Sequence, residues 1–542
     1  MPRSRRCFLA LAVALAPALA AAQSQGPVPL PSPVARPAPA PPRPDPRPVL
    51  NVSLEDAVKR AIANNLDIAV EKFEPESSEL AVSELRGFYQ PVLSSTVGQT
   101  SAETPASGAF SGADVENRDT TTVDFGAVQT LRTGGSLRLD FLNHRADTNS
   151  VLESFNPSFG STLNAQLAQP LLRDLKVDNR RYQIKVAKKN REISDVEFRQ
   201  TVVNTLADVK DRYYDLLYAI DNLEAQRKSL SLAVDLVEQN RTKVRVGTLA
   251  QIDVVSAESE QASREESVIV AEAAVADAED ALRRAIFADN APATWAPRIV
   301  PTDRPSAEPV HVDAEAAVVK ALAGRTDIVA ARKRLESSEY AVSYTRNQML
   351  PALDLVAGYG TTGIGGTLLV RDNSGGGFGG PIIETVPGGL SDALSDVFRN
   401  RFPTWSASVT LSYPILNRQA RASHARAKVS RDQSQVSLRR MEMQVTAEVR
   451  SAARAVETNF KRIETTQAAR VLQERRLDTE AKKFAAGMST NFLVTQTQRD
   501  VVLAEVAEVR AVADYRKSLV EWERVQEAGF SGTGSSGTVS LP

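Results

Sequence analysis

One pattern is written twice in this chain, about 260 residues apart. Ser53, Ala57, Val58, Ala61, Asp67, Ile68, Ser77, Ser78, Glu79, Ala81, Val82, Ser83, Arg86, Pro91 and Leu93 return as Asp313, Ala317, Val318, Ala321, Asp327, Ile328, Ser337, Ser338, Glu339, Ala341, Val342, Ser343, Arg346, Pro351 and Leu353. Each copy reads as a capped amphipathic helix that stops at a proline and becomes an alternating strand. A tandem repeat constrains a fold before any single motif does. Long helices feeding short strands, duplicated, point to a pore rather than an enzyme.

Both ends of the 542-residue chain read as lying outside that repeat. Arg3, Arg5 and Arg6 precede an apolar run from Cys7 to Leu19 that ends in small residues, the pattern of a secretory signal over 1–22, cleaved after Ala20 or Ala22. That run is too short to span a bilayer as a helix, and no later stretch supplies enough consecutive apolar residues. The only cysteine, Cys7, falls inside the signal, so the expected mature chain has neither a disulfide nor a lipid-attachment cysteine. Residues 23–50 are proline-rich, which favours an extended spacer. Residues 529–542, rich in Gly, Ser and Thr, have no apolar face to bury and read as a disordered tail. A balance of 65 Lys and Arg against 66 Asp and Glu argues against a nucleic-acid binder.

Between the ends, two repeats are expected over 51–287 and 313–528, with a linker at 288–312. Val202, Leu206, Val209, Tyr213, Leu216, Ile220, Leu223, Leu230, Val234, Val237 and Val244 recur in steps of three and four, broken at Arg227 and Arg241. This is a coiled-coil seam. A second seam, from Val254 and Ala257 through Gln261, Arg264 and Val268 to Leu282 and Ala285, follows Gly247, so the two helices fold back as a hairpin. Weaker seams around Val445 to Ile463 and Val502 to Ala513 flank Gly487 and duplicate it. Asn179 to Val246 and Asn417 to Ala486 predict single helices of roughly 100 Å. Shorter helices over Ser53–Phe88, Gln251–Phe287, Asp313–Gln348 and Thr490–Glu527 predict broken rods of equal height, the first stacked with the last and the middle two with each other. Pro75 is expected to kink the first of them.

Strand patterns have a period of two. Trp405, Ala407, Val409, Leu411 and Tyr413 face one way, and Thr404, Ser406, Ser408, Thr410 and Ser412 the other. Leu353 to Tyr359, Leu163 to Leu167 and Leu137 to Phe141 alternate likewise. With no partner sheet or spare helix stripe to cover these apolar faces, strands of about ten residues fit an outer-membrane barrel shared between chains. A soluble β-sandwich cap is the competing reading. A hairpin candidate at Thr122–Leu131 and Ser136–Phe141, around Thr133-Gly134-Gly135, either adds strands to the barrel or extends above it.

The helix-to-strand junctions Tyr89-Gln90-Pro91 and Leu350-Pro351, the exits Gln169-Pro170-Leu171-Leu172 and Tyr413-Pro414-Ile415-Leu416, and the turns Val246-Gly247-Thr248-Leu249 and Ala486-Gly487-Met488-Ser489 form an ordered double set. Together they resemble the TolC-like outer membrane efflux protein family from Leu54 to about Glu527. The resemblance implies a mainly α fold with β: duplicated long-helix hairpins forming a trimeric periplasmic α-barrel, plus a shared outer-membrane β-barrel, usually twelve-stranded. It further implies a homotrimeric exit duct for tripartite efflux or type I secretion, set in outer-membrane lipid and served by a periplasmic membrane-fusion adaptor and an inner-membrane transporter. The adaptor-docking turns carry over to Val246, Gly247, Thr248 and Leu249 and to Gly487, Met488 and Ser489. Glycine also ends a helix for purely conformational reasons. In the family pattern acidic residues after the second turn ring the periplasmic entrance. Here those positions are Leu493 and Gln496, with Phe492 beside them, and only Asp253 is acidic. A partly apolar gate that restricts passage by dewetting is one expectation. Phe492 as a seam residue between helices is the other.

No enzyme is expected. His144, His311 and His424 lack a second ligand at metal spacing and read as solvated. Gly358, Gly360 and Gly363 match a G-x-G-x-x-G pattern, but no helix follows, and with Gly365, Gly366 and Gly375–Gly380 they read as a long extracellular turn. No cofactor is implied. The non-pore alternative is a secreted coiled-coil scaffold or adhesin with a small β cap.

Overall fold

The computed structural model describes residues 47–105, 114–304, 308–372 and 380–526. The signal, nearly all of the proline-rich segment, the Gly375–Gly379 run and the C-terminal tail lie outside these residues.

Two similar successions of elements make up the fold. The first is β1 (Val49–Val52), α1 (Leu54–Asn64), α2 (Leu66–Glu71), α3 (Phe73–Arg86), β2 (Val92–Pro105), β3 (Val115–Thr130), β4 (Ser136–Thr148), β5 (Phe155–Pro170), α4 (Asn179–Arg245) and α5 (Gln251–Ile286). A connection holding α6 (Pro292–Trp295) and β6 (Arg298–Pro301) leads to the second: α7 (Ala314–Gly324), α8 (Thr326–Asn347), β7 (Ala352–Arg371), β8 (Ile382–Val386), α9 (Leu390–Phe398), β9 (Pro403–Ser412), α10 (Arg418–Ala485) and α11 (Asn491–Gln526).

Helices α4 and α10 hold 67 and 68 residues, so each runs about 100 Å. Asp178 caps α4 by accepting the Arg181 amide at 2.7 Å. The α4 seam departs from the heptad reading in its lower half. Below Leu223 the buried line runs Ala225, Ser229, Ala233, Leu236 and Asn240; Val237 of the expected seam is buried with them, and Leu230, Val234 and Val244 are only partly covered. The reason is geometric: α4 packs against both α5 and α11, and small residues let the two helices approach on adjoining stripes. On α5 the seam carries Glu260 and Glu279, both buried, while Gln261, Arg264 and Val268 are half-covered.

The short helices also differ from the reading. The first breaks at Asn65 and Lys72 rather than at Pro75, which sits in the first turn of α3, where its missing amide costs nothing. Asn65 accepts the amides of Asp67 and Ile68 at 2.9 and 3.2 Å and donates to the Ala285 carbonyl at 2.9 Å. The second copy breaks at the corresponding Arg325. Stacking also follows a different pairing: α1 meets the C-terminal end of α5, and α7 packs on α10 and α11. Each broken rod therefore stays within its own half.

The expected linkers contribute structure. β1 pairs in parallel with β6, placing Val52 and Ile299 in the main core with Tyr213, Leu216, Leu282 and Ile286, all fully buried. Tyr213 binds this sheet by donating to the Val52 carbonyl at 3.2 Å.

The second sheet runs β2-β3-β4-β5-β7, antiparallel throughout. β7 is long enough to pair with β9 along Ala352–Thr361 and with β8 along Leu368–Arg371. The 122–141 hairpin thus lies in the sheet. Gly358, Gly360, Gly363, Gly365 and Gly366 belong to β7, not to a turn. A Cβ on Gly363 would stand 2.0 Å from the Ala393 carbonyl oxygen, and one on Gly365 2.2 Å from that of Gly389. These glycines are what allow α9 to lie flat on the strand.

Candidate functional site

Two regions bear on function: the sheet, and the paired helix turns at the far end of the hairpins. In the sheet, one row of registered partners is Leu93, Ala127, Leu139, Ala165, Tyr359 and Trp405. The next row is Ser94, Gly126, Asp140, Asn164, Gly360 and Thr404. Period-two side-chain direction puts the first row on one face and the second on the other. The apolar face continues through Val97, Val123, Phe125, Phe141, Leu163, Leu355, Val409 and Leu411. It is bare over much of its extent: Leu93 is 80% exposed, Val97 74% and Trp405 77%. The opposite face carries Thr, Ser, Asn and Asp side chains, with Arg138 paired to Asp140 at 2.6 Å. The apolar face changes to Gln99, Thr121, Asn143, Ser161 and Thr361 toward the β7–β8 end, where α9 covers Ser161 and Thr361. Sequence reasoning missed α9 and β8 because both follow a glycine-rich stretch. No described helix is long and apolar enough to cross a membrane.

At the other end, both turns close in the same way. Gly247 (φ +79°) follows α4 and Gly487 (φ +76°) follows α10. The Gly247 amide donates to Val244 at 2.9 Å and that of Thr248 to Lys243 at 2.9 Å. The Gly487 and Met488 amides donate likewise to Phe484 and Lys483, at 3.2 and 2.8 Å. These paired bonds satisfy helix-end carbonyls and require the left-handed backbone that glycine adopts without strain. Val246 and Met488 project their side chains outward, 68% and 74% exposed. Ser489 donates to the Glu480 carboxylate, which holds that group below the usual carboxylate range.

Just above the turns the two hairpins are stitched together by groups the sequence did not single out. Asn240 of α4, fully buried, donates to Asn491 Oδ1 of α11 at 2.9 Å, and Asn491 donates to the Asp253 carbonyl of α5 at 3.2 Å. Asp253 therefore joins the site through its backbone. Lys243 Nζ lies 3.6 Å from the Phe484 ring centre, bridging α4 and α10. Leu236, Phe484 and Val494 pack beneath it. Higher up, Glu260 of α5 is gripped by Arg499 of α11 through both carboxylate oxygens and by Arg264 at 2.7 Å. Arg499 first, and Arg264 with it, hold the Glu260 carboxyl below its ordinary range. Glu260 and Arg264 are visible in the sequence as an i, i+4 pair, but Arg499 lies 239 residues away.

On α11 the buried stripe is Asn491, Val494 and Thr497. Phe492 is 72% exposed, with Leu493 and Gln496 also on the open side. Within one chain Phe492 packs in no seam. His424, expected to be solvated, is buried on α10 beside the Thr345 hydroxyl at 3.3 Å. Among the described residues no group of His, Cys, Asp and Glu is arranged to hold a metal ion.

A pair of long helical hairpins, joined end-on to a sheet with one bare apolar face, defines the class of mainly helical outer-membrane channels that add a β-sheet wall. The outer membrane efflux protein family model matches residues 57–286 and 317–524, and the chain belongs to that family. Its members are channel proteins. Among solved structures, the chain is similar to the outer-membrane channel OprN at 16% identity, with 88% of this chain and 90% of that one covered and a TM-score of 0.62. It is similar to the CmeC outer membrane channel of Campylobacter jejuni at 16% identity, with 89% and 87% covered and a TM-score of 0.61. The open-state MtrE outer membrane channel of Neisseria gonorrhoeae shares 15% identity over 87% and 88%, with a TM-score of 0.57. No curated protein matches the chain significantly.

Proposed function

We propose that the protein is the outer-membrane exit duct of a tripartite efflux or type I secretion system, working as a homotrimer. The observation that carries this is the bare apolar face spread over one continuous sheet and joined end-on to helices about 100 Å long. In water such a face is a large unpaid cost, whereas in lipid it is the stable arrangement for a barrel wall. Three chains share the barrel, and their helices continue it as a tube through the periplasm. The polar face lines a water-filled passage that lowers the barrier to polar or amphipathic cargo and performs no chemistry.

The export signal over 1–22 is removed, and the segments 51–287 and 313–528 act as the two structural repeats. The turns Val246–Leu249 and Gly487–Ser489 dock a membrane-fusion adaptor, whose inner-membrane transporter supplies the energy. A groove of about 380 Å³ between α4, α10 and α11, lined by Leu236, Gln239, Lys243, Phe484 and Val494, lies beside the turns and offers that adaptor mixed polar and apolar contacts. Phe492 and Leu493, with Gln496 and Asp253, form the periplasmic gate; the exposure of Phe492 favours this over a seam role within one chain.

A photo-cross-linker attached at Thr248→Cys or Met488→Cys in living cells tests the docking assignment. The expected result is a cross-link to one periplasmic protein, identified by mass spectrometry as an adaptor, and no such product from Ser437→Cys in mid-helix. Cross-linking from mid-helix alone would contradict the assignment.

A further inference from the structure

We infer that each chain contributes six strands to the barrel wall, so that three chains close an eighteen-stranded barrel rather than the twelve-stranded one that the family resemblance implies. The inference rests on the trimeric-duct reading and concerns how copies of this chain meet and how wide their shared pore is. Its basis is the β3–β4 hairpin, inserted between β2 and β5.

Three observations place that hairpin in the wall. First, register is continuous through it. Ser95 pairs with Phe125, Phe125 with Phe141, Phe141 with Leu163, Leu163 with Thr361 and Thr361 with Pro403. Second, its two strands repeat the two-faced pattern of the others at the same height. Val123, Phe125, Ala127, Leu137, Leu139 and Phe141 lie on the apolar face, while Asp124, Arg138 and Asp140 lie on the polar one. A hairpin standing above the membrane has no use for an apolar face at that level. Third, its lower turn is fastened at the point where β5 gives way to α4. The Thr133 hydroxyl donates to Gln169 at 2.7 Å, Gln169 donates back to the Thr133 carbonyl at 3.1 Å, and Arg180 donates to the Thr130 hydroxyl at 2.8 Å. Gly134, at φ +90°, brings the turn so close that a Cβ would stand 2.5 Å from the Asp174 carbonyl oxygen.

The occupant of the open edges is a second copy. Among the described residues β2 has a hydrogen-bonded neighbour only in β3, and β9 only in β7. Both edge strands are exposed along almost their whole length. A long flat edge with an apolar side is a template for strand pairing, and in lipid unpaired backbone groups cost several kcal/mol each. Leu93 and Val97 on β2 and Trp405, Val409 and Leu411 on β9 carry the apolar face of the sheet out to both edges. Because barrel diameter grows roughly linearly with strand number, the barrel is about 1.5 times as wide as a twelve-stranded one. Only four strand–helix junctions per chain remain beneath it, so the widening is confined to the membrane part. The hairpin adds Asp124, Arg138 and Asp140 of every chain to the lumen.

Thiol pairs test this in the full chain extracted from outer membranes, bridged by a short bis-maleimide that spans adjacent strands but not three strand spacings, about 14 Å. Asp140→Cys with Asn164→Cys is expected to link within one chain, Ser94→Cys with Asn164→Cys is not, and Ser94→Cys combined with Thr404→Cys, Ser406→Cys or Ser408→Cys is expected to yield a covalent trimer. Linkage of Ser94→Cys to Asn164→Cys, with the trimer still forming, shows β2 beside β5 and overturns the eighteen-stranded wall while leaving the duct intact. Linkage within the chain but no covalent trimer from any β9 position overturns the shared barrel and the duct reading with it. Ser95→Cys and Phe141→Cys, each paired with Leu163→Cys on the apolar face, repeat the comparison if a lumenal variant fails to assemble.

Discussion

Asp211 lies on α4 among Lys517, Asp215, Glu521 and Asp208, and burial pushes its carboxyl up to about 6. One of its oxygens has no hydrogen-bond partner among the described residues. A carboxyl whose folded value exceeds its unfolded value, about 3.9, contributes most to stability below the unfolded value and loses that contribution as pH rises through the folded one. Stability should therefore fall between about pH 4 and 6, and Asp211→Asn should flatten that fall and raise the melting temperature at neutral pH. Thermal unfolding across this window checks it; identical profiles would contradict it. Glu279 is completely buried and bonded to the buried Arg283 at 2.8 Å. Glu279→Ala takes one of two carboxylates from the buried Arg283, which keeps Asp280 and the Pro297 carbonyl, both at 2.6 Å, and should cost about 1–3 kcal/mol in denaturant titration. Gly247→Ala and Gly487→Ala meet no steric obstacle, since nothing stands within 4 Å, but must hold a left-handed backbone. Each should cost about 1–2 kcal/mol, seen as faster amide exchange at the turn while the rest of the helix stays protected.

Among the elements, the long hairpins were legible because a seam repeated over 67 residues averages out local exceptions, and their ends because glycine marks the reversal. The breaks were not. Asn65 ends α1 partly because its side chain reaches the Ala285 carbonyl, 220 residues away, whereas Pro75, the stronger local signal, sits harmlessly in a first turn. β1 and β6, four residues each, offered too little alternation to stand out beside prolines. The β7 glycines read as a loop because glycine weakens a strand, and their reason, the close approach of α9, exists only in three dimensions. At the turns, the glycines were legible while the Asn240–Asn491 and Glu260–Arg499 ties were not, since their partners are far apart in sequence. On the gate reading, Phe492→Ala should raise single-channel conductance in planar bilayers and increase antibiotic leak into cells, whereas Gln251→Ala, an exposed change at the start of α5, should do neither. Unchanged conductance and leak in Phe492→Ala would remove Phe492 from the gate.

At the scale of the whole molecule, the same chain must satisfy two solvents. Its helices bury small residues and ion pairs in water, and its sheet leaves Leu93, Val97, Trp405, Val409 and Leu411 bare. Neither half makes physical sense in the other's surroundings, and the proline-marked junctions at Pro91 and Pro351 divide them. The secreted-scaffold alternative leaves that apolar face uncovered, and the duct places it in lipid. The most direct test is single-particle electron microscopy of the detergent-extracted protein. A three-fold tube longer than about 100 Å, with a detergent belt around one end and the helices extending from it, is the expected result. A compact or fibrous particle with no belt would contradict the duct.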